Sequence, residues 1–263
     1  MTDQTRVWPV FLVYAGAFAA VVVLSLIAAL VLRALYPDVP ADAVFDGLPG
    51  LLAGGMASST GLVLTVLIAA RPLDPAHLRL IPGRETGGAL GIMIIGMLAL
   101  GQALDSLTML VGLGNVGSMP AIRRALTGAA GPDLGSAVLV IGVMAATAEE
   151  VFFRAYMQSR LRARWGTTLT VVATSACFGL MHLEWLHAVL AFFLGLYLGF
   201  LTERSGSALP AIACHVVNNV IFTLLTAFVG TVEDFWPNVI LFSAGALVFG
   251  ASLAWLSRAL PRP

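Results

Sequence analysis

Six side chains able to do chemistry stand inside otherwise apolar stretches of this sequence. Glu149, Glu150 and Arg154 follow the run Gly-Val-Met-Ala-Ala-Thr-Ala, His182 comes four residues after Phe178, and His215 precedes Asn219 by four. A charge held in mid-bilayer costs roughly 2.5–3.5 kcal/mol on insertion scales. Three unpaired charges would cost on the order of 8–10 kcal/mol, so these groups must be paired, neutralised or solvated. On a helix Glu150 and Arg154 share a face at i, i+4 with the acid first, the favourable order for an ion pair. Glu149 points about 100° away and is left without that partner. An unpaired carboxylate in apolar surroundings is a ready proton acceptor. One Glu is held and one is free.

A single intramembrane histidine reads as a hydrogen bond between helices. Glu149, His182, His215 and Asn219, however, come from three separate runs, and gathering them around one buried water satisfies all four. Such a set suits peptide hydrolysis. A carboxylate and an imidazole activate water, while an imidazole and an amide stabilise the developing oxyanion. The same chemistry offers a second reading, in which Glu149, His182 and His215 hold one divalent metal such as zinc and leave a position open for water. Both readings stay open. There is no HExxH, the stretch from His182 to His187 has the wrong spacing for it, and no GxSxG follows a strand.

The elements that must position these residues are membrane helices. Of 263 residues, 59% are hydrophobic and 11% charged, with a mean hydropathy of +0.94. Soluble domains hold about 45–50% apolar residues and about a quarter charged, and this much apolar surface cannot be hidden from water. The fold class is all-α, a polytopic bundle of about eight transmembrane helices. Runs near the 20 residues that span a bilayer lie at 9–32, 49–70, 87–113, 134–157, 167–183, 186–202, 208–229 and 237–256. The first is too long for a signal-peptide core and is followed by Arg33, so it reads as an anchor that stays.

Fourteen acids balance fourteen bases, which gives no basic field for nucleic acid. Cys177 and Cys214 lie in apolar runs without metal-site or disulfide spacing and read as core residues. The arginines set orientation. With the N-terminus inside, Arg6, Arg71, Arg79, Arg84, Arg160, Arg162, Arg164, Arg204, Arg258 and Arg262 fall inside, against Arg33, Arg123 and Arg124 outside. Both termini are therefore expected in the cytoplasm.

The connection at 114–133 pairs Arg123 and Arg124 with Ile122 and Leu126, and is expected as an amphipathic helix flat in the interface. Gly87/Gly91 and Gly195/Gly199 read as close helix contacts. Gln102 and Asp105 share a face at i, i+3 and read as a helix-to-helix bond, with a cavity wall as the second reading. Glu184 and His187 sit at a span boundary and read as interfacial, with Glu184 near enough to touch the site, while His77 reads as solvated.

The strings Glu149-Glu150-x-x-x-Arg154, Phe178-x-x-x-His182 and His215-x-x-x-Asn219 resemble the three motifs of the CAAX protease and bacteriocin-processing (CPBP, or Abi) intramembrane endopeptidases. That family includes type II CAAX prenyl endopeptidases and lysostaphin-resistance-A-like proteins. The resemblance covers about a third of the chain. It implies a helical bundle whose cavity opens toward the cytoplasm, with Glu149 and His182 activating water, His215 and Asn219 stabilising the oxyanion, and Glu150 and Arg154 as supports. Residues 134–229 become the protease-like core, 1–133 the first three spans with the interfacial connection, and 230–263 the last span.

The function expected is hydrolysis of a peptide bond in a membrane-associated or lipidated peptide, in the cytoplasmic membrane of a bacterium. Its partners are membrane lipid and that substrate. Two other classes compete. A transporter also holds polar groups at mid-membrane but favours matching halves, whereas here they lie in the second half. A non-catalytic immunity or scaffold protein keeps the motifs without turnover.

One tension remains on paper. His182 lies about 15 residues, or roughly 22 Å, from the inner end of its run, and His215 about 7 residues, or roughly 10 Å. To share a water their rings must lie within about 12 Å. The span carrying His182 must therefore start outside the bilayer, tilt, or break near Glu184, and the first or the last is expected.

Overall fold

The computed structural model describes residues 6–260; Arg262 lies outside the described residues. Among the described residues the chain is helical and without strands. In order it forms α1 (Trp8–Leu35), a short α2 (Ala41–Phe45), α3 (Leu48–Ala69), α4 (Gly87–Leu110), α5 (Met119–Leu126), α6 (Gly131–Arg162), α7 (Thr167–Leu180), α8 (Trp185–Ser205), α9 (Leu209–Phe228) and α10 (Phe235–Ala259). Seven of these are long and apolar enough to cross a membrane. The eighth expected span is α7, which has only 14 residues. It serves as one arm of a hairpin with α8. The other boundaries lie close to the apolar runs because proline marks several starts, at the first turns of α1, α3 and α9.

The core is built around α6. Its middle departs from regular α geometry, with i→i+5 bonding over Val138–Ala145 and again over Val151–Gln158, on either side of the two glutamates. Such widened turns concentrate at functional sites. Below the glutamates α6 and α8 run parallel in strict register. Arg154 donates to the Gly195 carbonyl at 3.2 Å, Gln158 to the Gly199 carbonyl at 3.0 Å, and Arg162 to Glu203 at 3.0 Å, each across the same offset of 41 residues.

The expected close contact at Gly195 and Gly199 thus has a specific cause. A Cβ on Gly195 would press on the Arg154 guanidinium, Ser175 and Phe178, and one on Gly199 on Gln158 and Val171. Buried Glu203 closes this seam, accepting from Gln158 at 3.0 Å and pairing with Arg79 at 2.7 Å and Arg162 at 3.0 Å. The 70–86 connection is clamped to the core by that contact.

The same register locates the hairpin tip. By the 41-residue offset Trp185 is level with Met144, so the tip stops roughly 20 Å below the start of α6. The volume it leaves vacant is bounded by α3, α4, α5, α6 and α9. The helix α5 packs against the bundle. Met119, Ile122, Arg123 and Leu126 turn toward this volume and wall it.

Candidate active site

Helix α7 ends at Leu180, and His182 stands in the turn beyond it instead of on the helix. Leu183 takes a left-handed backbone, φ 62°, and Glu184 then caps α8 by accepting from the Leu186 and His187 N–H groups at 2.8 and 2.9 Å. An acceptor side chain at this position satisfies donors a helix start leaves unpaired. The break near Glu184 that the depth argument required is present. It also revises two sequence readings: His182 is off the helix, and Glu184 is a cap. Gly117, at φ 73°, packs directly on Glu184, where a Cβ would collide with the carboxylate.

The turn aims His182 by two contacts. Its Nδ1 lies 3.0 Å from the Phe178 carbonyl, and its ring meets the Phe178 ring edge-on at 5.1 Å. A carbonyl only accepts, so Nδ1 carries the proton and Nε2 presents a lone pair. The Phe178 ring also meets that of His215, at 6.0 Å. The two imidazoles are therefore no farther apart than those two distances together, inside the limit set above.

Beneath them lies a buried ionic cluster. Arg154 and Glu150 are wholly buried. Glu150 Oε1 accepts from Arg154 at 3.1 Å and faces His215 Nδ1 at 2.9 Å. Arg154 also covers the Phe178 ring at 4.6 Å. The expected Glu150–Arg154 pair is present, and it does more than support a helix. A carboxylate held by a guanidinium accepts and does not donate, so His215 Nδ1 carries its proton toward Glu150. That turns His215 Nε2 toward Glu149 Oε2, 3.8 Å away. Glu149 itself is without a cation of its own in this cluster and opens on the cavity. Asn219 donates to the Ile141 carbonyl at 3.3 Å, in the first widened stretch of α6, and accepts from Asn218 at 3.2 Å.

Glu149, His182, His215 and Asn219 line one cavity of about 410 Å³. Sequence reasoning missed His187, which lines it too, with its ring 4.2 Å from that of His182. The signal was the span boundary itself, since a break after Leu180 swings the first turn of α8 inward. Gln102 and Asp105 do not form a bond between transmembrane helices. Gln102 donates to Ser106 on its own helix, while Asp105 pairs with Arg123 of α5 at 2.5 Å, where both line the cavity. Cys177 and Cys214 are buried and unpaired, as read.

The donor set suits a divalent cation in kind, a carboxylate with imidazole lone pairs. Among the described residues, though, no three His, Cys, Asp or Glu side chains converge closely enough to hold one ion.

Over residues 132–221 the chain matches the family model described as type II CAAX prenyl endopeptidase Rce1-like. This stretch, about a third of the chain, is similar to that family. The matched residues hold all six motif side chains, and with them nearly all of α6, the α7–α8 hairpin and about the first two thirds of α9. No curated protein and no solved structure matches the chain. The seven long apolar helices make the chain an integral membrane protein, and the similarity to a CAAX-type protease lies within them.

The cavity also exposes a conflict between two expectations. Its walls include Leu51 near the start of α3, Asp105 near the end of α4, α5, and Thr226 near the end of α9. It therefore runs from mid-bundle to the end carrying the 36–47, 111–130 and 229–234 connections. The arginine distribution places that end outside, whereas the family resemblance implies a cavity facing the cytoplasm. Both cannot hold.

Proposed function

We propose that the chain is an intramembrane endopeptidase that hydrolyses a peptide bond of a membrane-associated or lipidated peptide. The observation carrying this reading is the convergence of Glu149, His182, His215 and Asn219 on one cavity, above an ionic cluster that fixes one imidazole.

In this mechanism a water sits between Glu149 and the Nε2 lone pair of His182. Glu149 takes one proton as the water oxygen bonds to the scissile carbonyl carbon. The carbonyl π electrons move to oxygen, and the oxyanion is met by the Asn219 amide, which keeps a second N–H beyond the one given to Ile141. His215 offers Nε2–H to it only when its ring is doubly protonated, a state balanced by Glu149 and Glu150 on either side. Collapse breaks the C–N bond, and the proton held by Glu149 passes to the leaving amine. The products are a new carboxylic acid, whose proton passes to His182 Nε2 and on to solvent to leave the carboxylate, and a new N-terminus.

The test compares membrane-peptide cleavage by the intact protein and by His182→Ala, with folded protein checked in both. Lost cleavage in a folded variant supports the assignment; full cleavage contradicts it. Metal dependence has its own experiment. Activity that survives thorough chelation, with no metal bound, supports the metal-free scheme. Loss on chelation restored by zinc returns Glu149, His182 and His215 as ligands.

A further inference from the structure

The two ends of the bundle differ in charge as well as in shape. One end, formed by the 70–86, 163–166 and 206–208 connections and the end of α6, carries Arg71, Arg79, Arg84, Arg160, Arg162 and Arg164. Arg6, Arg204 and Arg258 lie toward it as well. The other end carries Arg33, Arg123 and Arg124. Two of those three are tied into the fold: Arg33 donates to the carbonyls of Tyr36, Pro37 and Val39 just past its own helix, and Arg123 pairs with Asp105. That end also bears Asp38, Asp42, Asp46, Glu233 and Asp234. Arginines in short connections beside membrane helices are retained on the cytoplasmic side, where acids contribute little. The arginine-rich end is therefore the cytoplasmic one.

The cavity reaches the opposite end. On the cytoplasmic side the path to the site is filled by the α6–α8 seam, with Arg154, Gln158, Gly195, Gly199 and Glu203 buried against one another. On the other side the hairpin tip stops short and leaves the open volume between α3, α5 and α9. We infer that the site takes its substrate from the non-cytoplasmic face, as a peptide segment exposed at the outer surface of the membrane. The word substrate rests on the endopeptidase reading; the direction of access does not. A peptide reaching this site must first be translocated, so a translocation step supplies it.

Single cysteines read this directly. Ala76→Cys marks the arginine-rich end, Glu233→Cys the cavity end, and Thr226→Cys the cavity wall near its mouth, while native Cys177 and Cys214 are buried. A membrane-impermeant maleimide applied to intact cells labels Glu233→Cys and Thr226→Cys, and reaches Ala76→Cys only after permeabilisation. The reverse pattern, or labelling of both ends in intact cells, overturns the inference. So does a Thr226→Cys that stays unlabelled in intact cells. A green fluorescent protein fused after Pro263 gives an independent reading. It fluoresces if the arginine-rich end is cytoplasmic, and a full-length but dark fusion overturns the inference. None of these readouts needs activity, so they hold or fail apart from the protease assignment.

Discussion

Helix α6 crosses two regions that treat polar side chains in opposite ways. In its lower half Arg154, Gln158 and Arg162 point at α8, and each finds a backbone carbonyl or Glu203 within a closed seam. In the upper half Glu149 faces a cavity, and the nearest cationic candidate is an imidazole 3.8 Å away. One helix thus carries a tier whose side chains are bonded to protein, with only single atoms such as Arg154 Nε and Gln158 Oε1 left over, and a tier held open for a ligand. Burial of ionisable groups alone did not separate them. The separation follows the α7–α8 hairpin, whose tip lies level with Met144 just beyond Glu149, so the closed seam gives way there to the cavity. Polar groups in a membrane protein mark function where the fold declines to satisfy them.

The comparison can be broken first at the open tier. Asn219→Ala removes an oxyanion donor and should lower turnover by about 10²–10³-fold, with thermal stability little changed. Similar turnover in the variant would move Asn219 into the structural tier. At the closed tier, Arg154→Leu strands Glu150 in the core. Losing one member of a buried pair costs about 3–5 kcal/mol, visible as lower folded yield and melting temperature in detergent. A variant as stable as the parent would mean that the cluster is not holding the fold.

A gentler perturbation of the same tier is Gly195→Val. Overpacking costs about 1–3 kcal/mol, and the displaced Arg154 and Phe178 should carry activity down with stability. The smallest effect belongs to Asp105→Asn at the cavity mouth. Asp105 is partly exposed, and an exposed pair contributes about 0–1 kcal/mol, so its melting temperature should move by little. A large drop there would show that α5 is bound more firmly than its contacts suggest.

Much of the membrane fold was legible because apolar length and proline starts are local signals. The pairing of Glu150 with Arg154 was legible for the same reason, as an i, i+4 relation on one helix. What failed was relational. Taking 167–183 as a regular span placed His182 on a helix, because apolar composition does not show where a backbone turns left-handed at Leu183. His187 was passed over since its position depends on that turn. Asp105 was given to a neighbouring helix when its partner lies 18 residues on, across a connection. The 41-residue register of α6 and α8 is set by carbonyls and side chains meeting in space, and no periodicity in the sequence announces it.

The central claim is that Glu149 is the free carboxylate and serves as the base. The most direct measurement is cleavage of membrane peptides by purified Glu149→Gln, followed by mass spectrometry beside the parent protein, with both shown to be folded by their melting curves. Glutamine keeps the shape and removes the proton acceptor. The account predicts a rate lower by about 10²–10⁴-fold at unchanged stability. A folded Glu149→Gln protein that cleaves at the parent rate would contradict it.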